Sequence, residues 1–219
     1  MNTSNRSVSA VSREDESSSR RSKILSAAAD LFAQQGFDGT SLGAVASAAE
    51  VKKSLVQYHF DSKEKLWQES IRYVWTLRDA ALPRYLEEFS GGEGRDGATM
   101  VRDLCRNILQ FSFDHPQWIK LMFQEASTPG PRLDWMVETC FKKDFSEGKA
   151  MVQLAQQQGL LPQVDAMDLL HILSGALIYL VNVAPISERV LAEKPNSPQY
   201  IDRHIDTLMC LLQGITQRK

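Results

Sequence analysis

The sequence contains few cysteines: Cys105, Cys140 and Cys210 lie far apart in 219 residues and form no CxxC pair. This spacing is typical neither of a disulfide framework nor of a zinc site, so we predict reduced, mostly buried thiols. The chain also lacks an excess of basic residues, because 25 Lys and Arg stand against 27 Asp and Glu. Any contact with nucleic acid must therefore be local.

Motifs that carry catalysis are missing as well. The chain has no GxxxxGK[ST] phosphate loop, no GxSxG and no HExxH, and its acidic residues are spread along helical stretches. His171 stands in no HxxxH relation to His115 or His204, so we predict no metal site. We expect neither an enzyme nor a cofactor.

Long hydrophobic runs are scarce too. Residues 1–20 are polar and serine-rich and lack the apolar core of a signal peptide. The most apolar stretch, residues 168–183, is interrupted by His171, Ser174 and Asn182, whereas a membrane span needs about 20 apolar residues. We therefore expect a buried helix, no membrane partner and a cytoplasmic protein.

The pattern that is present is helical. Residues 1–19 have little to bury and predict a disordered arm. From Ile24 onward apolar residues recur at helical spacing, and Gly36 is expected to stop the first helix. Two short helices follow, near 42–50 and 53–60, and a fourth begins near Asp61. Further helices are predicted near 98–113, 116–126, 131–158, 165–183 and 198–216, so the fold class is all-α.

The first three helices have the proportions of a helix-turn-helix module. Ala46 supplies the small residue that a close helix crossing needs, while Val56 and Phe60 fill the space beneath the third helix. The outward positions of that helix are then polar or aromatic: Lys53, Ser54, Leu55, Gln57, Tyr58 and His59.

This outward face suits a major groove. Gln57 can pair with adenine through its amide, and Leu55 and Tyr58 can lie against thymine methyl groups. Phosphate contacts are predicted for Lys52, Lys53, His59 and Lys63, and also for Thr40 and Ser41 before the second helix. Residues 20–66 carry seven Lys and Arg against five Asp and Glu. The alternative is a small helical bundle with a solvated polar face.

Residues 24–66 resemble the N-terminal DNA-binding domain of the TetR/AcrR family of bacterial transcriptional regulators. The matching segments are AAADLFAQQGFDGTSL, VASAAEV where the family has I-A-x-x-A-G-V, and HFDSKEKL where it has H-F-x-S-K-E-x-L. Three positions depart from the pattern: Glu50 replaces the turn glycine, Lys52 the usual Ser or Thr cap, and Gln57 a frequent tyrosine. A left-handed Glu50 would cost about 1–2 kcal/mol.

The resemblance implies a helix-turn-helix domain at 20–66, followed by a helical ligand-sensing and dimerisation domain at 67–219. It implies a homodimer that binds double-stranded operator DNA. The 165–183 and C-terminal helices are apolar enough to need a cover, which is either a second copy or the core of the same chain. The predicted dimer residues are Leu173, Leu177, Leu180, Ile205, Leu208 and Leu212.

The resemblance also implies a cavity for a small, largely apolar effector whose binding releases the operator. Candidate lining residues are aromatic, sulfur-containing or polar: Asn107, Phe111, Trp118, Met122, Phe123, Glu125, Trp135, Met151, His171, Tyr179 and Asn182. Each of them taken singly also fits an ordinary core. An activator, a regulator without a ligand and a helical protein–protein adaptor remain as alternatives to a repressor.

Overall fold

The computed structural model describes residues 4–82 and 96–216, with side chains for residues 17–82 and 96–212. Within these ranges every regular element is a helix, which confirms the all-α fold class. The helices are α1 (Ser4–Gly39), α2 (Leu42–Ala48), α3 (Lys53–His59), α4 (Lys63–Ala81), α5 (Gly97–Asp114), α6 (Gln117–Ser127), α7 (Pro131–Met136), a π-helical segment (Val137–Phe141), α8 (Lys142–Gln157), α9 (Ala166–Leu191) and α10 (Pro198–Thr216).

The chain forms two compact units, one of Met1–Leu77 with Lys120–Gln124, the other of Arg78–Ile119 with Glu125–Lys219. The N-terminal unit thus reaches beyond residue 66, the boundary predicted from the sequence. Its core is built on Phe32, Leu66 and Trp67, all almost fully buried. These residues belong to α1 and α4, so the two longer helices hold the short α2 and α3 in place.

Helix α1 differs from the predicted element at both ends. It begins at Ser4, within the segment predicted to be a disordered arm; residues 1–3 lie outside the described residues. No glycine or proline precedes Gly36, so nothing in the backbone interrupts the helix. At Gly36 the backbone turns to φ 72°, ψ 176°, a conformation that glycine adopts at little cost. The predicted stop at Gly36 is present as a sharp kink.

In the C-terminal unit α5 packs against α9 and α10, and α9 also packs against α8. Arg102 and Arg106 of α5 form ion pairs with Asp206 and Asp202 of α10. A histidine of α10, His204, makes a 2.9 Å hydrogen bond between Nε2 and the carbonyl oxygen of Ala176 on α9. The contacts fix which sides of α9 and α10 face inward.

Helix α9 is longer and more exposed than the sequence predicted. It continues through Pro185 to Leu191, where the prediction ended it near residue 183. A proline removes one backbone hydrogen bond, and the helix tolerates that loss here. Among the residues searched, α9 alone is long and apolar enough to cross a bilayer by length and composition, and only 17% of its most apolar window is buried. The expectation of a buried helix is therefore wrong for this protomer.

Candidate nucleic-acid interface

The turn between α2 and α3 brings the two helices into close contact. Ala46 of α2 is buried, and its carbonyl oxygen accepts a 2.9 Å hydrogen bond from the backbone N–H of Val51. Glu50 has φ 56°, the left-handed conformation that the family pattern assigns to glycine. Glu50 therefore keeps the left-handed conformation of the turn, and a side chain at such a φ costs about 1–2 kcal/mol.

One side of α3 is buried in the core, and the opposite side is exposed. Val56 and Phe60 are fully or almost fully buried, as predicted, and the Phe60 N–H closes the helix on the Val56 carbonyl oxygen at 2.9 Å. On the opposite side Tyr58 is 81% exposed. Four further residues expected to contact DNA are also exposed: Lys52, Lys53, Ser54 and Gln57. Leu55 is half-buried at the edge of this face.

Two of the predicted phosphate contacts differ in environment. Thr40 is buried, and its hydroxyl donates a 2.9 Å hydrogen bond to the Gly36 carbonyl oxygen. This hydroxyl closes the kink at the end of α1, and the phosphate contact of Thr40 stays a prediction. Ser41 is exposed and is the N-cap of α2, its Oγ accepting a 3.1 Å hydrogen bond from the Ala44 N–H. Of these two residues, Ser41 has the exposed side chain.

His59 and Lys63 are more constrained than the sequence suggested. Burial, with a smaller effect from Arg21, lowers the pKa of His59 below its ordinary value, which favours a neutral ring. A neutral imidazole is a weaker phosphate ligand than an imidazolium. Lys63 donates a 3.3 Å hydrogen bond to the Asp38 carbonyl oxygen and lies over the Phe37 ring, 4.5 Å from its centroid.

Lys52 and Lys53 are left as the exposed lysines at the start of α3. Lys52 occupies the N-cap position with φ −71°, ψ 141° and makes no side-chain cap hydrogen bond. The extended backbone of Lys52 leads into the helix, and no cap hydrogen bond fixes its side chain. The ammonium groups of both lysines are therefore available to an external anion.

A recess of about 490 Å³ lies beside this face and includes residues that sequence analysis did not select. Arg20 and Lys23 of α1 line it together with Glu50, Lys52 and Tyr58. Arg20 and Lys23 were counted in the local charge but were assigned no contact. The two residues are three positions apart, which places both on one face of a helix. This spacing was the sequence feature that could have grouped them.

The predicted cavity residues do not form one buried set. Phe111 and Trp118 are buried in the C-terminal unit, where Asn107, Trp135 and Met151 are half-buried. Glu125 is also buried there, and both its carboxylate oxygens accept from Nε of Arg132 at 3.1 Å. This pairing accounts for Glu125 as a structural residue.

The other cavity candidates lie elsewhere. Met122 and Phe123 belong to the N-terminal unit, and Phe123 is exposed. His171, Tyr179 and Asn182 are exposed on α9, and their place in an effector cavity stays a prediction. Periodicity could not reveal this, because α9 is apolar on nearly every side. In the residues for which side chains are given, no group of His, Cys, Asp and Glu is placed to hold a metal ion.

The predicted dimer residues also face inward. Leu177, Leu180, Ile205, Leu208 and Leu212 are buried within the protomer and Leu173 is half-buried, so they are not a free surface for a second copy. The exposed side of α9 carries a different set at seven-residue spacing: Ile172, Tyr179 and Ile186. Gly175 lies between them, and an added Cβ there would meet nothing within 4 Å.

Comparison with known proteins agrees with this geometry. Residues 24–69 match the family model described as bacterial regulatory proteins, tetR family. The HTH-type transcriptional regulator RutR of Escherichia coli strain K12 is 26% identical over 202 residues, which cover 92% of each chain. IcaR of Staphylococcus aureus strain Newman, described as a negative transcriptional regulator of the icaADBC biofilm operon, is 27% identical over 110 residues, 50% of this chain and 55% of IcaR.

Solved structures show the same fold. The crystal structure of AibR in complex with isovaleryl coenzyme A and operator DNA has a TM-score of 0.66 at 20% identity, and the match covers 88% of this chain and 97% of AibR. The fold and the outward α3 face are those of a helix-turn-helix module, and the curated relatives that the chain matches are named as transcriptional regulators. Residues 24–69 thus carry the domain described for the tetR family of bacterial regulatory proteins, and the chain as a whole is similar to regulators of that kind.

Proposed function

We propose that this protein is a ligand-responsive repressor that binds a two-fold symmetric operator as a homodimer and is released by a small, largely apolar effector. The observation that carries the proposal is the face of α3, which is polar and exposed above while Val56 and Phe60 are buried beneath it. A short helix held in this way presents its side chains to a groove without losing its own packing. As a DNA-binding regulator the protein acts in the cytoplasm.

Base reading is assigned to the middle of α3. The exposed amide of Gln57 can pair in a bidentate manner with adenine, and the ring of Tyr58 can lie against a thymine methyl group. Lys52, Lys53 and Ser41 are positioned at the edges of the module, where contacts to phosphate set the register and carry no sequence information.

Support for a dimer comes from the exposed side of α9. Ile172, Tyr179 and Ile186 recur every seven residues and are all more than half exposed. Apolar residues at this spacing form the seam between two packed helices. A second copy of α9 is the proposed cover, with the exposed Leu211 of α10 at its margin. Two-fold symmetry then places two α3 helices on half-sites whose centres are about 34–36 Å apart.

The effector belongs to the C-terminal unit. Phe111 and Trp118 supply buried aromatic surface there, and Asn107 is a half-buried polar group on the same helix as Phe111. AibR was solved with an acyl coenzyme A, which is consistent with an apolar acyl or similar effector for this fold. The effector shifts the equilibrium only as far as its affinities for the two conformations differ.

Selection of bound duplexes from a random pool tests the proposal. We expect recovered sequences to share an inverted repeat, and a Gln57→Ala variant to lose about 1–3 kcal/mol of preference at one base pair of each half-site. Recovery of a random set of duplexes by a folded dimer would contradict DNA reading by α3.

An activator of the same fold remains a second candidate, because operator position and not protein structure separates the two. Placing the selected operator upstream or downstream of a promoter in a reporter assay distinguishes them. A helical adaptor would show no sequence-dependent DNA affinity, and substitution of Gln57 or Tyr58 would leave its DNA binding unchanged.

A further inference from the structure

Helix α7, the π-helical segment and α8 follow one another without a break from Pro131 to Gln157. At Val137–Phe141, called the π turn below, the backbone N–H of Lys142 donates to the carbonyl oxygen of Val137, five residues earlier. An α-helical hydrogen bond spans four residues, so the π turn holds one residue more than an α turn. Single π turns inside α-helices frequently occur at functional sites.

A buried ion pair holds this long helix on each side of the π turn. Before the turn, Nε of Arg132 donates to both carboxylate oxygens of Glu125 at 3.1 Å, and Glu125 is buried. After the turn, Asp144 accepts two 2.6 Å hydrogen bonds from Arg78, whose side chain is largely buried. The two pairs therefore fix the directions in which Arg132 and Asp144 point.

The extra residue of the π turn lets both pairs form at once. Arg132 and Asp144 are twelve positions apart in the sequence, which in an unbroken α-helix places them about 120° apart around the axis. With one residue taken up by the π turn, the difference falls to about 20°. Met136 and Cys140, at the four-residue steps between them, are buried as well. The π turn thus keeps one side of the helix directed inward.

Closing the π turn into an α turn would give a second, discrete arrangement. With α8 held in place, α7 would rotate by about 100°. Leu133 would then take the direction that Arg132 has now, because Leu133 is one residue nearer to Asp144. A leucine cannot pair with the carboxylate of Glu125, so the α form lacks one of the two ion pairs.

The geometry points to the π turn as a two-state switch: the π form, with Arg132 paired to Glu125, binds the operator, and the α form, with α7 rotated and the pair broken, releases it. This inference rests on the proposed function. Glu125 lies on α6 and Arg78 on α4, and both helices have residues in both compact units. An effector that binds the α form more tightly shifts the equilibrium toward release.

Two variants separate the two forms. Glu125→Gln removes the charge that holds Arg132, so the π form loses population and the affinity for the selected operator should fall roughly tenfold. Deletion of Thr139, an exposed residue of the π turn, leaves an unbroken α-helix in which Arg132 and Asp144 still lie about 20° apart. The deletion alone should keep the wild-type operator affinity. Combined with Glu125→Gln, it should restore that affinity to within about twofold, because α7 can no longer change register.

Hydrogen exchange gives a readout that involves no DNA. The backbone amides of residues 137–142 should exchange roughly tenfold more slowly in the deletion variant than in the wild type, because the second register is no longer available. Glu147→Gln is the matched control, since Glu147 is an exposed glutamate of α8. It should change neither the exchange rates nor the operator affinity, and thermal melting should show that each variant is folded.

The remaining outcomes have distinct meanings. If folded Glu125→Gln keeps the wild-type operator affinity, or if deletion of Thr139 does not restore a lost affinity, the switch is wrong. A deletion variant that fails to fold would also overturn the inference, because the unbroken helix should retain both ion pairs. A wild-type protein that selects no operator would contradict the proposed function instead, and unchanged exchange at residues 137–142 would then refute the two registers separately.

Discussion

The two units distribute polar and apolar side chains in opposite ways. In the N-terminal unit the polar groups assigned to function are outside, on α3, and apolar residues such as Val56 fill the space beneath. In the C-terminal unit the ion pair of Arg78 with Asp144 is largely buried, while Tyr179 and Ile186 of α9 are exposed. An exposed polar face over a fixed core suits a polar, charged partner such as DNA. An exposed apolar face suits another protein surface.

The largest expected effect comes from making the apolar face of α9 charged. Tyr179 and Ile186 are 68% and 63% exposed in the protomer, so Tyr179→Glu with Ile186→Glu should leave the fold of each protomer intact. Two carboxylates facing their symmetry copies should dissociate the dimer and reduce operator affinity by about 100-fold or more, since each half-site alone binds weakly.

Analytical ultracentrifugation measures the association state, and a gel-shift titration measures the affinity. Glu188→Gln is the control, because Glu188 is exposed on α9 away from the stripe of Ile172, Tyr179 and Ile186. A charged double variant that sediments as a dimer would mean that the copies meet through another surface.

The next effect concerns the buried charges of the C-terminal unit. Nη1 and Nη2 of Arg78 each donate a 2.6 Å hydrogen bond to one carboxylate oxygen of Asp144, and the Arg78 side chain is largely buried. Asp144→Asn removes the charge and should cost about 2 kcal/mol of unfolding free energy, because it leaves a desolvated guanidinium with a weaker partner. Urea denaturation measures this loss.

Asp79 gives a matched comparison on the same arginine. It accepts from Arg78 at 2.7 Å but is half exposed, so Asp79→Asn should cost no more than about 0.5–1 kcal/mol. Equal costs for the two substitutions would mean that burial does not set the strength of these pairs.

A smaller effect is expected at the turn of the N-terminal unit. Glu50 has φ 56°, so Glu50→Gly removes backbone strain but adds flexibility to the unfolded chain. The net result should be a gain of about 0.5–1 kcal/mol in unfolding free energy. Glu50→Gln, which retains the strain, should leave stability unchanged. If Glu50→Gly melts at no higher temperature than Glu50→Gln, the left-handed conformation of Glu50 carries no measurable strain.

The smallest effect is the pH dependence contributed by His59. In the folded state burial, with a smaller effect from Arg21, lowers the pKa of His59 below its ordinary value of 6.5. The unfolded chain therefore binds this proton more readily, and the contribution of His59 to stability falls as the pH drops below about 6.5. His59→Gln should lose less stability than the wild type between about pH 8 and about pH 5.5. Equal losses in the two proteins would show that the pKa of His59 is the same in the folded and unfolded states.

The N-terminal unit could be predicted from sequence in detail because its helices are short and amphipathic. A period of 3.6 residues determines which side of α3 is buried once Val56 and Phe60 are placed. The spacing did not separate Thr40 from Ser41, since both are good cap residues. Only the packing shows that the hydroxyl of Thr40 turns inward to Gly36.

The C-terminal unit was less predictable for the opposite reason. Helix α9 is apolar on almost every side, so its sequence pattern indicates that it must be covered but not which side the protomer itself covers. Leu177 and Leu180 proved to be internal, whereas Tyr179 between them is exposed. The same ambiguity applies to His171 and Asn182, which were predicted to line a cavity and are exposed in the protomer.

The most direct test of the account is the ratio of affinities for a selected operator and a scrambled duplex of equal length, measured at one salt concentration. We predict that the wild-type protein binds the operator about 10³-fold or more tightly, and that Gln57→Ala with Tyr58→Ala removes most of this preference while leaving non-specific binding intact. A wild-type protein that binds both duplexes equally, or a double variant that keeps the full ratio, would contradict the claim that α3 reads DNA sequence.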